Sequence, residues 1–280
     1  MRTTARAAPA ATSDPAHPLA VDEIGAHAGD PNFMASLARG LAVVRAFSQQ
    51  RGRMSIAQLS LRTGIPRAAV RRVLYTLGQL GYVGTDDGRA FTLRPQILAI
   101  GHAYLTSTPL VTSAQPLLDQ VTQAVHESCS MAILDGDEIM YVARSFSSKR
   151  IMSIDLGIGS RLPAYCTSMG RVLLAGLAAP ELAAYFKRVK PVPHTPRTQL
   201  AKDRLHETLA TVRADGYAVV DQELEIGLRS IAVPVTDRAG RVAAAVNVSA
   251  QAARVTIAEM EKRFLPALQA AARDMGLLLG

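Results

Sequence analysis

The 280-residue chain has only two cysteines, Cys129 and Cys166, 37 positions apart and with no CxxC near either. A disulfide scaffold and a cysteine-rich zinc module are thereby excluded. No stretch approaches the roughly 18 consecutive apolar residues that a membrane span requires, so no membrane partner is expected. Arg2 and Arg6 are followed by a Pro/Ala/Asp-containing run instead of the apolar core of a signal peptide. The chain reads as soluble and cytoplasmic. With 49% apolar residues it can build real cores, which rules out wholesale disorder.

Lysine is missing from residues 34–95, yet that segment holds ten arginines against only Asp86 and Asp87, a net of +8. Residues 1–33 carry −2 and residues 96–280 carry +2, so one 62-residue segment accounts for the formal charge of the whole chain, +8. Such asymmetry is the electrostatic footprint of a polyanion-binding module, because each neutralised phosphate releases condensed counterions. Arginine also offers bidentate contact with phosphate or guanine, which lysine does not.

Residues 1–30 are rich in Ala, Pro, Thr and Asp and read as a disordered tail. From Met34 the period is helical: Leu37, Leu41, Val44 and Phe47 form one stripe of a helix expected to end near Ser48. Ser55 and Gln58 form a capping box that opens a second helix at Ile56, stopped by Gly64. Pro66 starts a third, over 67–80, with Val70, Val73, Leu74, Leu77 and Leu80 inward. Its other face shows Arg67, Ala68, Arg71, Arg72 and Tyr75. Asp87-Gly88 then marks a hairpin closed by Phe91-Thr92-Leu93. Three short helices and a hairpin describe a winged helix-turn-helix over 34–95, whose third helix suits the major groove of double-stranded operator DNA. Arg89, on the wing, is placed for a phosphate or minor-groove contact.

A linker helix over 96–108, too apolar on one side for a small winged domain to bury, suggests dimer contacts. Residues 109–280 form the second domain. They read as a helix over 110–125, strand hairpins (SCSMAIL with EIMYVARSF, then RIMSIDL), and helices beginning near Thr167, Pro180 and Gln199. A strand–turn–strand (SIAVPVTDRAGRVAAAVNVSA) and a helix boxed by Thr256 and Glu259 complete it. This is an α+β domain on an antiparallel sheet, of the kind that encloses small ligands.

Four segments carry a resemblance: SLARGLAVVRAF, MSIAQLSLRTGIPRAAVRRVLYTLGQLGYV, GSRLPAYCTSMGRVLLAG and GYAVVDQELEIGLRSIAVPVTDRAGRVAAAVNVS. In this order they resemble the isocitrate-lyase-regulator (IclR) family of bacterial transcription factors over residues 34–280. RAAVRR, YLTSTPL, AYCTSMGRVLLA and DQELEIGLRSIAVPV are most similar to the regulators of protocatechuate, p-hydroxybenzoate and β-ketoadipate catabolism. The resemblance implies a homodimer or dimer of dimers and a GAF-like domain that binds a small carboxylate, an aromatic acid or β-ketoadipate. A contact with RNA polymerase follows if the protein activates transcription.

Ser168, Met169 and Gly170 open a helix and could present their amides to that carboxylate. Arg229 sits between apolar strand residues and must be paired or solvated. It either clamps a ligand carboxylate or pairs internally with Asp221, Glu223 or Glu225; Asp221 and Glu223 therefore join it as candidate effector-site residues. Ser230, Asn247 and Ser249 alternate along strands as inward polar positions that would orient a ligand. Cys166 with His194 or His206 is the one tempting nucleophile–base set, and nothing in the sequence brings them together. His126 with Cys129 offers too few ligands for a metal, and DLGIGSRL lacks the rest of a dinucleotide fingerprint. No catalytic residue, metal or cofactor is expected. The rival reading is a metabolite sensor or hydrolase-like enzyme whose basic module docks a protein partner.

Overall fold

A computed structural model describes residues 20–47, 52–147 and 156–279. The chain divides into two compact units at Ala103/Tyr104. The division falls eight residues beyond the end of the winged segment read from the sequence, inside the linker helix.

The first unit contains α1 (Ala20–Gly25), α2 (Ala35–Ala46), α3 (Ile56–Thr63) and α4 (Arg67–Gln79). Its strands are β1 (Met54–Ser55), β2 (Val83–Gly84) and β3 (Ala90–Leu93), in the antiparallel order β1-β3-β2. The capping box is present: Ser55 Oγ accepts from Gln58 N, and Gln58 Oε1 accepts from Ser55 N. Gly64 closes α3 with φ +72°, a left-handed conformation that glycine adopts without steric cost. The turn into α4 is fastened by Ser60 Oγ donating to Ile65 O and by Thr63 Oγ1 accepting from Ile65 N. Val43, Leu59, Ile65, Val70, Leu74 and Val83 are buried together and fix the angle between the two helices.

Three sequence expectations change here. Residues 1–30 are not all tail, because Ala20–Gly25 is helical and Ala20 packs on the unit's core. The buried side of α2 is Ala42, Val43, Ala46 and Phe47, whereas Leu37 and Leu41 are 58% and 51% exposed. Leu80, also read as inward, is 60% exposed. Val43 and Phe47 carry the core contact of α2 with the two alanines beside them, and the two leucines lie on the other side of the helix. The expected helix end at Ser48 lies outside the described residues, and so does all but the last residue of the RIMSIDL strand.

A 3₁₀ turn (Pro95–Ile97) leads into α5 (Leu98–Ser107), the linker helix, none of whose residues is buried. Pro109 then starts α6 (Pro109–Val125). The second unit is a six-stranded antiparallel sheet built from β4 (Ser128–Asp135), β5 (Glu138–Ser145), β6 (Arg161–Pro163), β7 (Ala218–Asp221), β8 (Leu228–Thr236) and β9 (Val242–Gln251). Its order is β6-β5-β4-β9-β8-β7, which places β4, β9 and β8 at the centre. The short strands β1 and β7 were not anticipated; two and four residues are too few to show a period.

Alternation along the central strands sends two sets of side chains to opposite faces. Met131, Ile231, Val233, Val246 and Val248 pack under α6 and the C-terminal helix. That helix runs from α10 (Ile257–Glu259) through a π turn (Met260–Phe264) to α11 (Leu265–Leu277). The other face carries Ala132, Ala232 and Ala245 beneath α7 (Ser168–Ala175), with α8 (Ala179–Arg188) and α9 (Lys202–Asp215) in the same core. The alanines are small enough to bring α7 directly onto the sheet. Among the described residues no helix is long and apolar enough to cross a membrane.

Leu118 of α6 is wholly buried in the first of these cores. Leu118→Ala is expected to lower the unfolding free energy of this unit by about 2–5 kcal/mol. A denaturant titration following β-sheet ellipticity measures it, and an unchanged midpoint would remove α6 from the core.

Candidate DNA-contacting helix and effector cavity

The helix α4 has two faces. Val70 and Leu74 are buried in the first unit, while Arg67, Ala68, Arg71, Arg72 and Tyr75 are exposed. No carboxylate among the described residues pairs with the side chains of Arg67, Arg71 or Arg72. Their charge is open to solvent, and they gather in the first two turns of the helix, the part that enters a groove. Tyr75 follows one turn after Arg71 and Arg72 and is 70% exposed. Arg89 stands exposed at the hairpin tip. The tip is organised by Asp87, whose Oδ1 accepts from Arg89 N and Ala90 N at 2.9 and 3.0 Å. Those backbone donors hold the Asp87 carboxyl below its usual range, and Arg53 lies 3.2 Å away. The two acidic residues of the segment are thus gathered by the wing and by Arg53, leaving the α4 arginines free of them.

The second unit holds a narrow cleft of about 20 Å³ between the start of α7 and the sheet. Ser168 and Met169 form its helix wall, and Ser230, Asn247 and Ser249 its sheet wall. Tyr141, Leu162, Leu224 and Leu228 supply apolar surface around them. Register explains the grouping: Ser130 pairs with Asn247, Ser128 with Ser249, and Ser249 with Ser230. A row of small polar residues thus crosses three adjacent strands on the face toward α7. Tyr141 is buried deeply enough to push its phenol up to about 12, so it stays protonated as a donor.

At the helix wall, Thr167 caps α7 by accepting from Gly170 N at 3.2 Å. The amide of Gly170 is therefore spent, and the reading of Gly170 as an anion donor is corrected. Its role is space: a Cβ there would sit 2.1 Å from the Ala164 carbonyl oxygen. The amides of Ser168 and Met169 bond to nothing in the described protein, and Ser168 Oγ is buried without a partner. This end of α7 can accept an anion.

Asp221, Glu223 and Arg229 do not line the cleft. Arg229 Nε donates to Asp221 Oδ1 at 2.8 Å and its Nη1 to Val255 O at 2.6 Å. Of the two arrangements open for Arg229, the structure has the internal pair, which also holds the Asp221 carboxyl below its usual range. Glu223 accepts from Arg171 Nη2 at 2.7 Å and from Gln199 N at 2.9 Å. Arg171, with a side chain only 5% exposed, was missed by sequence reasoning because it stands in an amphipathic helix like any surface arginine. Its partner lies 52 residues away. The pair ties α7 to the turn that supplies Leu224 to the cleft wall. Thr195 Oγ1 donates to Gln222 O at 2.7 Å and Thr198 Oγ1 to Glu223 O at 2.7 Å, which fastens the same turn to the proline-rich loop.

Two family models match these units. The IclR helix-turn-helix domain covers residues 36–87, and the bacterial transcriptional regulator IclR C-terminal domain covers residues 102–277. The chain belongs to the IclR family. An IclR-family relative, the Pca regulon regulatory protein of Pseudomonas putida, is 53% identical over 97% of this chain and 93% of its own. A transcriptional regulator from Rhodococcus sp. RHA1 matches in structure with a TM-score of 0.77 and 46% identity, over 88% of this chain and 98% of its own. The inducer-binding domain of a PobR double mutant from Acinetobacter, in complex with 3-hydroxybenzoic acid, matches with a TM-score of 0.55 and 30% identity. It covers 59% of this chain and 96% of its own.

The family members matched here are regulators, and the local chemistry of Cys166 agrees with a binding role. Burial pushes its thiol up to about 12, with the Glu223 carboxylate adding to the shift. His194 is engaged with the ring of Tyr165, at 6.1 Å between centroids. A thiol held above its ordinary range stays protonated at neutral pH, which makes it a weak nucleophile. Cys166 and Cys129, both buried, should resist iodoacetamide at pH 8 in the native protein and label rapidly in guanidinium. Rapid native labelling of Cys166, read by mass spectrometry, would contradict its burial.

Proposed function

We propose that the protein is a ligand-responsive regulator of aromatic-acid and β-ketoadipate catabolism that binds operator DNA as a dimer. The observation that carries this is the pairing of two features on one chain. One is an exposed, unpaired arginine face on a helix-turn-helix; the other is an uncharged cleft at a helix N-terminus. Support for the metabolic setting comes from the similarity to the Pca regulon regulator and to a domain solved with a hydroxybenzoic acid.

In this reading α4 lies in the major groove, with Arg67, Arg71 and Arg72 divided between guanine edges and phosphates. Arg89 follows the backbone or the minor groove from the wing. Ala68 and Tyr75 fill the spaces between, touching thymine methyl groups or sugars. The exposed leucines Leu37, Leu41 and Leu80 line an apolar groove with Ile97 and Ile100. A groove of this kind suits a second copy of the chain, whose two-fold axis would match a palindromic operator. The small carboxylate is held at the start of α7 by the Ser168 and Met169 amides, with Ser230, Asn247 and Ser249 opposite. Its binding shifts the population of dimer geometries, and operator affinity or contact with RNA polymerase changes with it.

Arg71→Ala and Arg72→Ala test the DNA half. Each should cost about 1–3 kcal/mol where the arginine reads a guanine, and flatten the log–log salt dependence by about 1 where it holds a phosphate. Fluorescence anisotropy on the upstream region, at several salt concentrations and with excess nonspecific duplex, reads both. Unchanged affinity and slope in the double variant would contradict the assignment and favour a protein partner for the basic module.

A further inference from the structure

The anion site at α7 leaves the opposite wall of the cleft without a task. Asn247 lies near the middle of β9, 4% exposed, with Ser130 of β4 on one flank and Ala232 of β8 on the other. Its Nδ2 donates to Ser249 Oγ at 3.2 Å, while its Oδ1 is buried with no hydrogen-bond partner among the described residues. A polar atom in that state loses hydration and gains nothing in return unless something else meets it. On the helix wall, Ser168 Oγ is orphaned in the same way. The two orphans stand on different walls of one cleft, and among the described residues no Lys, Arg, His, Asp or Glu lines it. Discrimination at these walls therefore rests on neutral hydrogen bonds, with the helix N-terminus taking one carboxylate of the ligand.

Resting on the effector reading above, we propose that Asn247 is the residue that determines specificity for the effector's second polar group. The ligand is a carboxylate seated at Ser168 and Met169 that carries, across the cleft, a further hydrogen-bonding group read by Asn247. With Oδ1 facing the cleft the amide accepts from a hydroxyl. Turned by 180°, it presents its NH₂ to a distal carboxyl oxygen, and Ser249 Oγ then donates to Oδ1. A ligand ending in bare hydrocarbon satisfies neither arrangement. The apolar walls from Leu162, Leu224 and Leu228 align the ligand without discriminating its far end.

Calorimetry on the full-length protein with two matched pairs tests this: p-hydroxybenzoate against benzoate, and β-ketoadipate against 3-oxohexanoate. Each pair differs only in the distal group, and the two pairs separate a phenolic effector from a diacid. In the wild type the bifunctional member of at least one pair should bind about tenfold or more tighter than its truncated analogue. Asn247→Leu should bring that ratio to within about threefold of unity, Asn247→Ser should restore part of it, and Ser168→Ala should weaken both members alike. Thermal melts of each variant check folding, and Asn247→Ser carries the test alone if the leucine variant is unstable. An unchanged ratio in the folded Asn247 variants, or no wild-type preference in either pair, overturns the proposal while leaving the effector site in place. Failure of all four acids to bind the wild type overturns the effector site as well.

Discussion

Polar groups placed inside a sheet–helix sandwich must find partners, and this constraint organises the second unit. Every central strand has an apolar side sealed by α6 and α11, and that side needs no explanation beyond burial. The opposite side mixes Ala132, Ala232 and Ala245 with Ser130, Ser230, Asn247 and Ser249. The alanines bring α7 into contact with the sheet, and the polar residues keep a cleft open beside the contact. Gly170 belongs to the same arrangement, since any larger residue would lift α7 from the Ala164 carbonyl. A packed, wholly apolar face would be more stable and would bind nothing.

A second layer of polar chemistry surrounds the cleft without entering it. Arg171 and Glu223 are both largely buried, and removing one member of such a pair typically costs about 3–5 kcal/mol because the other is left uncompensated. Arg229 and Asp221 form a neighbouring pair. Together they hold the Gln222–Gly227 turn, where Gln222 takes a left-handed φ of +64°. Charge is thus used to shape the cleft wall, and the lining itself is left neutral.

Much of this was legible in the sequence, for identifiable reasons. The capping box at Ser55, the Gly64 stop and the Asp87-Gly88 turn are local, so they could be read from a few adjacent residues. The arginine excess of residues 34–95 is a sum and survives errors in any one element. Ser230, Asn247 and Ser249 were visible because strand alternation is strict. What failed has two causes: the pairing of Arg171 with Glu223 spans 52 residues, and the Gly170 amide is taken by the Thr167 cap three residues before it. The stripe through Leu37 and Leu41 failed differently. Periodicity shows that a helix has an apolar side but not which apolar residues face its own core, and here Ala42, Val43, Ala46 and Phe47 do while Leu37 and Leu41 do not.

In the proposed function, an acid bound in the cleft of one unit governs the DNA affinity of the other. Thermodynamic linkage gives the most direct test. Operator affinity of the full-length protein should be measured with and without a saturating acid, and acid affinity with and without operator DNA. The account predicts that both change by one and the same factor, about 5- to 150-fold. Two ligands that each bind the protein yet leave one another's affinity untouched would contradict it.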